Sequence, residues 1–190
     1  MIKTKEDLKY YLECDRLALG KTRRTPKVFG DEIWKFQICL RKLEFYSQRG
    51  GIAELLYRYK YHKLSLKLGF SIPYNNVGPG LAIVHYGTIV ISSCAVIGEN
   101  CRIHAGVSIG ASGGESNAAI IGNNVYIGPG AKIVGHVCVG DNSVIGANSV
   151  VVADVPAGVT VGGVPAKIIS ENDSSRHLVN ATGMINRTER

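Results

Sequence analysis

Two histidines in glycine-bearing turns are the residues of this chain best suited to chemistry: His85 in IVHYGT and His104 in IHAGVS. An imidazole exchanges a proton near neutral pH, and the Tyr86-Gly87 pair beside His85 lets a loop or ligand approach closely, so the expected chemistry is proton transfer. Spacing alone leaves a structural histidine equally open at 85. His104 begins a turn nineteen residues later and either shares a cleft with His85 or stands as a solvated turn residue. His136, in IVGHVC, is expected elsewhere in a structural role, and the repeat histidines are spaced too widely for a zinc site. The five cysteines, Cys14, Cys39, Cys94, Cys101 and Cys138, form no C-x-x-C pair and read as reduced, mostly buried small hydrophobes.

The elements that must hold these turns come from a repeat of six. From Ile91 to Val151 an Ile or Val recurs at every sixth position, broken only at Glu115, and four residues after each stands a second small or apolar residue such as Ala95, Cys101, Val107 or Ala131. Neither a helix nor a coiled coil has that period, and β-branched residues dominate the inward slots, so each hexad predicts a short strand and a turn. Three hexads closing one coil give a parallel β-helix. Val77, Ile83 and Ile89 keep phase with each other but run two residues off from Ile91, which places a slip near Val90. The stretch Gly110 to Ile120 loses its inward aliphatic while the register survives, and it reads either as an extruded loop or as a polar coil side. The flat outer faces, with residues such as Ile89 and Val96, call for a covering partner.

The fold class is therefore mainly β, a parallel β-helix of hexapeptide repeats behind an N-terminal α-helical segment. The expected division is a helical segment at 1–70, the β-helix at 71–169 and a polar, loose tail at 170–190. Within the first segment, Ile33 to Arg49 and Ile52 to Leu68 read as helices separated by Gly50-Gly51. Residues 1–70 hold 16 of the 22 Lys and Arg but 8 of the 15 Asp and Glu, a net of +8, and the rest carries 6 against 7, or −1. Such a basic face suits nucleic acid, an anionic membrane surface or a phosphorylated substrate, or is merely a solvated helix face. The Tyr57, Tyr59, Tyr61 run among Arg58, Lys60 and Lys63 suits lipid headgroups or RNA, but no RNA-binding signature accompanies it, and packing against the β-helix or a neighbouring subunit is expected. The sequence has neither a leading signal segment nor a long apolar run, so a cytoplasmic protein without stable membrane insertion is expected.

The stretch GLAIVHYGTIVISSCAVIGENCRIHAGVSIG, followed by IGPGAKIVG, VIGANSVVVADVP and GVPAKII, resembles the serine acetyltransferase branch of the left-handed β-helix acyltransferases and the exopolysaccharide O-acetyltransferases related to it. The likeness covers about residues 70–169. It implies left-handed coils, a homotrimer, and acetyl-CoA as acetyl donor in a groove between adjacent β-helices, with no metal. His85 aligns with the catalytic base. Backbone N–H groups near Gly110 or Gly87 become oxyanion donors, CoA runs along Pro129, Ala131 and Ala147, and Lys167 lies near its phosphates. His104, Asp15 and Asn117 are left as acceptor-binding candidates.

Several positions depart from the pattern that the resemblance implies. The acid that orients the catalytic histidine falls on Phe70 or Ser71, the acid directly before it is Val84, and the Arg-His pair of the loop falls on Asn117-Ala118. A backbone carbonyl, Asp15 or Asn75 is left to fix the imidazole. The sulfhydrylase-docking Ile of the family is replaced by Arg190. These departures favour a sugar hydroxyl of a surface polysaccharide or its precursor as acceptor, with serine and a rearranged pocket as the alternative. A non-catalytic β-helix scaffold is a third reading.

Overall fold

A computed structural model describes residues 2–113 and 117–188. Residues 114–116, inside the expected loop, and the terminal Arg190 lie outside the described residues, as does Glu115, the break in the hexad row. Three flat parallel sheets make a triangular prism. The first sheet stacks Phe70–Ser71, Ile89–Ile91, Ser108–Gly110, Lys132–Val134 and Val150–Val151; the second stacks Val96–Ile97, Ile120–Ile121 and Cys138–Val139. The third runs from Ala82–Ile83 through Arg102–Ile103, Tyr126–Ile127 and Val144–Ile145 to Thr160–Gly163. Like packs on like: Ile103, Ile127, Ile145 and Val161 lie in one column and Ile91, Ile109, Ile133 and Val151 in another. All are buried, so every rung removes branched apolar surface from water without a side chain changing face. Ile89 belongs to this interior and not to an outer face, whereas Val96 does stand outside.

Departures from the eighteen-residue coil are local. Ile109 pairs with Ile133, twenty-four residues on, because the segment after Gly110 leaves the prism before the chain re-enters at Ala118 and Ala119, both buried. Ile83 pairs with Ile103 at twenty residues while Ile91 pairs with Ile109 at eighteen, so two extra residues lie between Ile83 and Ile91. That slip therefore falls on the turn that carries His85.

Three helices close the front of the prism. Helix α1 spans Lys5–Ala18, α2 Glu32–Ser47 and α3 Gly51–Leu68. The last two follow the bounds read from the sequence; α1 falls inside the expected helical segment without such bounds, although Thr4 and Asp7 form a reciprocal capping box at its start. Their packing answers a problem of the β-helix itself: the first coil exposes unpaired backbone groups along its upper edge. Side chains of α1 and α2 take the place of a missing coil. Gln37 donates to the Leu81 carbonyl and accepts from Ile83 N, Arg41 donates to the carbonyls of Val77 and Gly78, and Glu44 accepts from Asn75 N.

The tail is not loose. Ser174 N donates to the Asn142 carbonyl at 3.0 Å, and helix α4, Ala181–Thr188, starts on the side chain of Asn100, whose Oδ1 accepts from Ala181 N and Thr182 N at 3.1 and 3.2 Å. Asn100, Asn124 and Asn142 stand in left-handed backbone on successive coils and bond side chain to side chain at 2.9 and 3.0 Å. Ala181 then packs with Cys14, Ala18 and Ala82, which covers the upper outer face of the third sheet.

Candidate active site

One edge of the prism, between the third and first sheets, gathers most of the candidates. At the regular turn His104–Gly106 the backbone is spent on the ladder, with His104 N donating to the Ile127 carbonyl and Gly106 N to the Thr88 carbonyl. At the widened turn the N–H groups of His85, Tyr86, Gly87 and Thr88 find no acceptor among the described residues. The bulge thus pushes the exposed His85 and Tyr86 outward and leaves four backbone donors free beside them. Gly87, at φ 129°, is where that bulge needs glycine, and a Cβ there would also come within 3.1 Å of Ala105 Cβ.

His104 does share the site, with ring centroids of His85 and His104 5.8 Å apart. The row continues through Tyr126 to His177, each step 5.0 Å, so the tail supplies its last ring. Burial, then Arg102 and His85, hold the His104 imidazole below the usual histidine range, and its Nε2 is buried without a partner. Among the described residues no group hydrogen-bonds the His85 ring itself, so neither Asp15, Asn75 nor a carbonyl fixes its tautomer.

A cleft of about 380 Å³ opens beside His85, lined by Lys21, Asp31, Trp34, Val84, Arg102 and Val179 among others. Asp31 caps no backbone of α2; its carboxylate instead takes Lys21 Nζ at 2.7 Å, Arg23 at 2.9 Å and Lys27 N at 3.0 Å. These contacts, the Lys21 bond first, hold the Asp31 carboxyl at about 2. Arg102 stands outward on its strand over Ala82, and its Nε is buried with no partner. The cleft therefore offers an unspent guanidinium a short way from the imidazole.

The remaining candidates divide. Pro129 and Ala147 lie exposed on turns of the same edge below His104, and Lys167 follows on the strand Ala166–Ser170, which folds back antiparallel on Thr160–Gly163. From the His85 coil to the Lys167 hairpin is four coil steps, about 19 Å at roughly 4.8 Å each. Ala131 is a correction: it is fully buried in an inward slot, and its N–H and carbonyl are spent on Gly128 and Ser108, so it presents nothing to a ligand. Asp15 is another. It is buried, with Oδ2 accepting from Arg41 Nε at 2.8 Å and Oδ1 from Arg41, Gly80 N and Leu81 N, so it fastens α1 to the first coil and cannot meet an acceptor. Gly110 and Asn117 stand at the opposite edge of the first sheet, with His136, and a single chain does not bring them to His85. Phe70, at the position expected for an orienting acid, packs edge-on against Phe36 in the core. Among the described residues no cluster of three or more His, Cys, Asp or Glu could hold a metal.

Residues 118–153 match the family model described as bacterial transferase hexapeptide (six repeats). A serine acetyltransferase of Synechococcus elongatus is 40% identical over 111 residues, 57% of this chain and 46% of that protein. The crystal structure of serine acetyltransferase from Brucella abortus aligns with a TM-score of 0.72 at 29% identity, over 90% of this chain and 72% of that one. The same enzyme in complex with coenzyme A aligns at 0.69 and 30% identity, over 88% of this chain and 70% of that one. The chain belongs to the hexapeptide-repeat transferases. It spans about half the length of the sequence relative it matches, and its fold is the left-handed parallel β-helix with helices in front.

In this hexapeptide transferase the groups that sequence reasoning missed are those brought from outside the repeat: Lys21, Asp31 and Trp34 from the helical segment, and His177 and Val179 from the tail. Arg102 lies inside the repeat and did carry a signal, as a lone cation in an outward slot beside His104.

Proposed function

We propose that the protein is an acetyl-CoA-dependent O-acetyltransferase in which His85 is the general base. The observation that carries this reading is the bulged turn, which sets His85 beside four free backbone N–H groups, over a polar cleft and at the head of an edge running past Pro129 and Ala147 to Lys167. A hydroxyl is too weak an acid to attack a thioester unaided, so neutral His85 takes its proton as the oxygen bonds to the acetyl carbon. The carbonyl oxygen becomes an oxyanion, and the free N–H groups at Tyr86 and Gly87 are placed to donate to it. When the C–S bond breaks, the departing thiolate takes the proton from the His85 imidazolium, which leaves the O-acetyl product and CoA. CoA runs down the edge with Lys167 near its phosphates, and the thermodynamic handle on that contact is a single exposed charge.

Serine is the acceptor the relatives favour, since those compared are named serine acetyltransferases. Arg102, whose Nε has no partner, suits a small hydroxyl compound that bears a carboxylate. One observation supports a sugar hydroxyl as the second reading: Val84, Phe70 and Asn117-Ala118 stand where the family's acids and Arg-His pair would recognise serine. We further infer a homotrimer. Val90, Val96 and Ile120 stand exposed on the first and second sheets of a single chain, and Gly110 and Asn117 reach a His85 cleft only from a neighbouring copy. Five free cysteines, with Cys94 and Cys138 exposed, accord with a cytoplasmic setting.

The test is thiol release from acetyl-CoA with L-serine and with a panel of sugars, beside light scattering of the same sample. Turnover with serine supports the first reading and turnover with sugars alone the second. CoA binding without thiol release for any hydroxyl acceptor overturns both, and a monomer at micromolar concentration overturns the trimer.

A further inference from the structure

Helix α3 buries little besides Leu68. Its outer side carries Ile52, Leu55, Leu56, Tyr59 and Leu66, with Ile52 87%, Leu55 66% and Leu66 68% exposed. At 3.6 residues per turn these five and Lys63 fall within an arc of about 100°, with Lys60 and Lys67 along one border and His62 and Arg58 along the other. The helix has one acid, Glu54, which lies on the other side and is held by Arg58 at 2.5 Å. Next to the stripe a groove of about 470 Å³ is lined by Pro26, Lys35, Lys42, Tyr59, Lys60 and Lys63, with no carboxylate in its lining. Lys42, Lys60 and Lys63 lie over the rings of Tyr57 and Tyr59 at 5.3 to 5.7 Å and join no ion pair among the described residues. The loop that enters this groove at Pro26 continues into Lys27, Val28 and Phe29, and Phe29 is 90% exposed.

We propose that the outer face of α3, with the Val28–Phe29 loop, docks the protein on an anionic lipid surface, the apolar stripe entering the boundary of the acyl chains and the lysine groove receiving phosphate headgroups. The arrangement is that of an interfacial helix, an apolar stripe beside the unpaired Lys60 and Lys63 and the groove they line. No described helix is long and apolar enough to cross a membrane, so the contact is peripheral. A second copy is a poor occupant: the one carboxylate beside the face, Glu32, is already held by Lys35 at 3.7 Å and Lys67 at 3.4 Å, and pairing the face with itself would set the unpaired Lys60 and Lys63 against their equivalents. Nucleic acid would leave the leucines unmatched.

The full chain is sedimented with vesicles of phosphatidylcholine alone and of equimolar phosphatidylcholine and phosphatidylglycerol, at physiological salt. Binding to the second kind only is expected. Each lysine near a charged surface is worth about a fivefold change in partition, so Lys60→Gln with Lys63→Gln is expected to weaken binding roughly 25-fold, and Leu55→Ser with Leu56→Ser to weaken it at least tenfold. All four residues are outside the core, and unchanged circular dichroism confirms intact folding. Failure to bind either vesicle, equal binding to both, or indifference to the leucine pair overturns the proposal. So does light scattering in which the leucine variant is a smaller oligomer than the wild type without lipid, since the face then belongs to a second copy. Thiol release with a soluble acceptor is unaffected in both variants, which keeps this test separate from that of acetyl transfer.

Discussion

Replacing Asp15 with Ala separates a fastening role from an acceptor role. Arg41 is fully buried and divides its guanidinium between Asp15 at 2.8 and 3.2 Å, Glu44 at 3.2 Å and the carbonyls of Val77 and Gly78. Removal of Asp15 leaves Arg41 one carboxylate instead of two, and strands the N–H groups of Gly80 and Leu81, each bonded at 2.9 Å. An orphaned buried donor costs about 1–3 kcal/mol, and breaking a buried pair from one side about 3–5 kcal/mol, so the loss expected is about 3–5 kcal/mol. At roughly 2–4 °C per kcal/mol in a chain of this size the melting temperature falls by about 6–20 °C. Because α1 ends beside the His85 cleft, at Ala18 to Lys21, the acceptor KM rises while CoA affinity holds. Urea unfolding followed by circular dichroism gives the stability, and steady-state thiol release gives the KM. A stability loss under 1 kcal/mol together with a collapse of turnover would refute the fastening role and return Asp15 to the acceptor.

Asn100→Gly keeps the left-handed turn but removes the cap of α4, which is expected to cost about 1–2 kcal/mol and to speed amide hydrogen exchange over residues 174–185; unchanged exchange would show that the tail holds without it. Asp31 gives a pH test. Its folded value of about 2 lies below the ordinary 3.8, so its contribution is present above pH 4 and is lost as pH falls through about 2. Fluorescence of Trp34, the single tryptophan, should follow that loss in the wild type and stay flat between pH 4 and 2 in Asp31→Asn; identical curves would contradict the assignment. Lys167→Ala should weaken CoA several-fold, as one exposed charge contact worth roughly 1 kcal/mol, and leave dephosphorylated pantetheine nearly untouched, whereas equal losses in calorimetry would place Lys167 away from the phosphates.

The interior of the prism was legible because branched residues at period six admit one packing, and the two-residue slip near Val90 was visible as a phase error. What a phase error does not convey is its consequence, that the extra residues free four N–H groups around His85. Ala131 already stood in an inward slot by its place four residues after Ile127, and its full burial agrees with that reading and not with the cofactor role taken from the resemblance. Helix α1 went unread because its buried face consists of Cys14, Asp15 and Ala18, too small and too polar for an apolar stripe, although Thr4 and Asp7 spelled its cap. The tail misled for a similar reason. Its anchors are Asn100, Asn124 and Asn142, polar residues whose coil spacing has meaning only once the corners are known to be left-handed.

The central claim is that His85 moves the proton of the acceptor hydroxyl. Thiol release from acetyl-CoA with a competent acceptor, measured for His85→Ala beside calorimetry of CoA, tests it most directly. The account predicts a fall in turnover of roughly 10²- to 10⁴-fold with CoA affinity nearly unchanged, and a smaller loss for His104→Ala, whose ring lies 5.8 Å behind. Near-wild-type turnover in His85→Ala would contradict it.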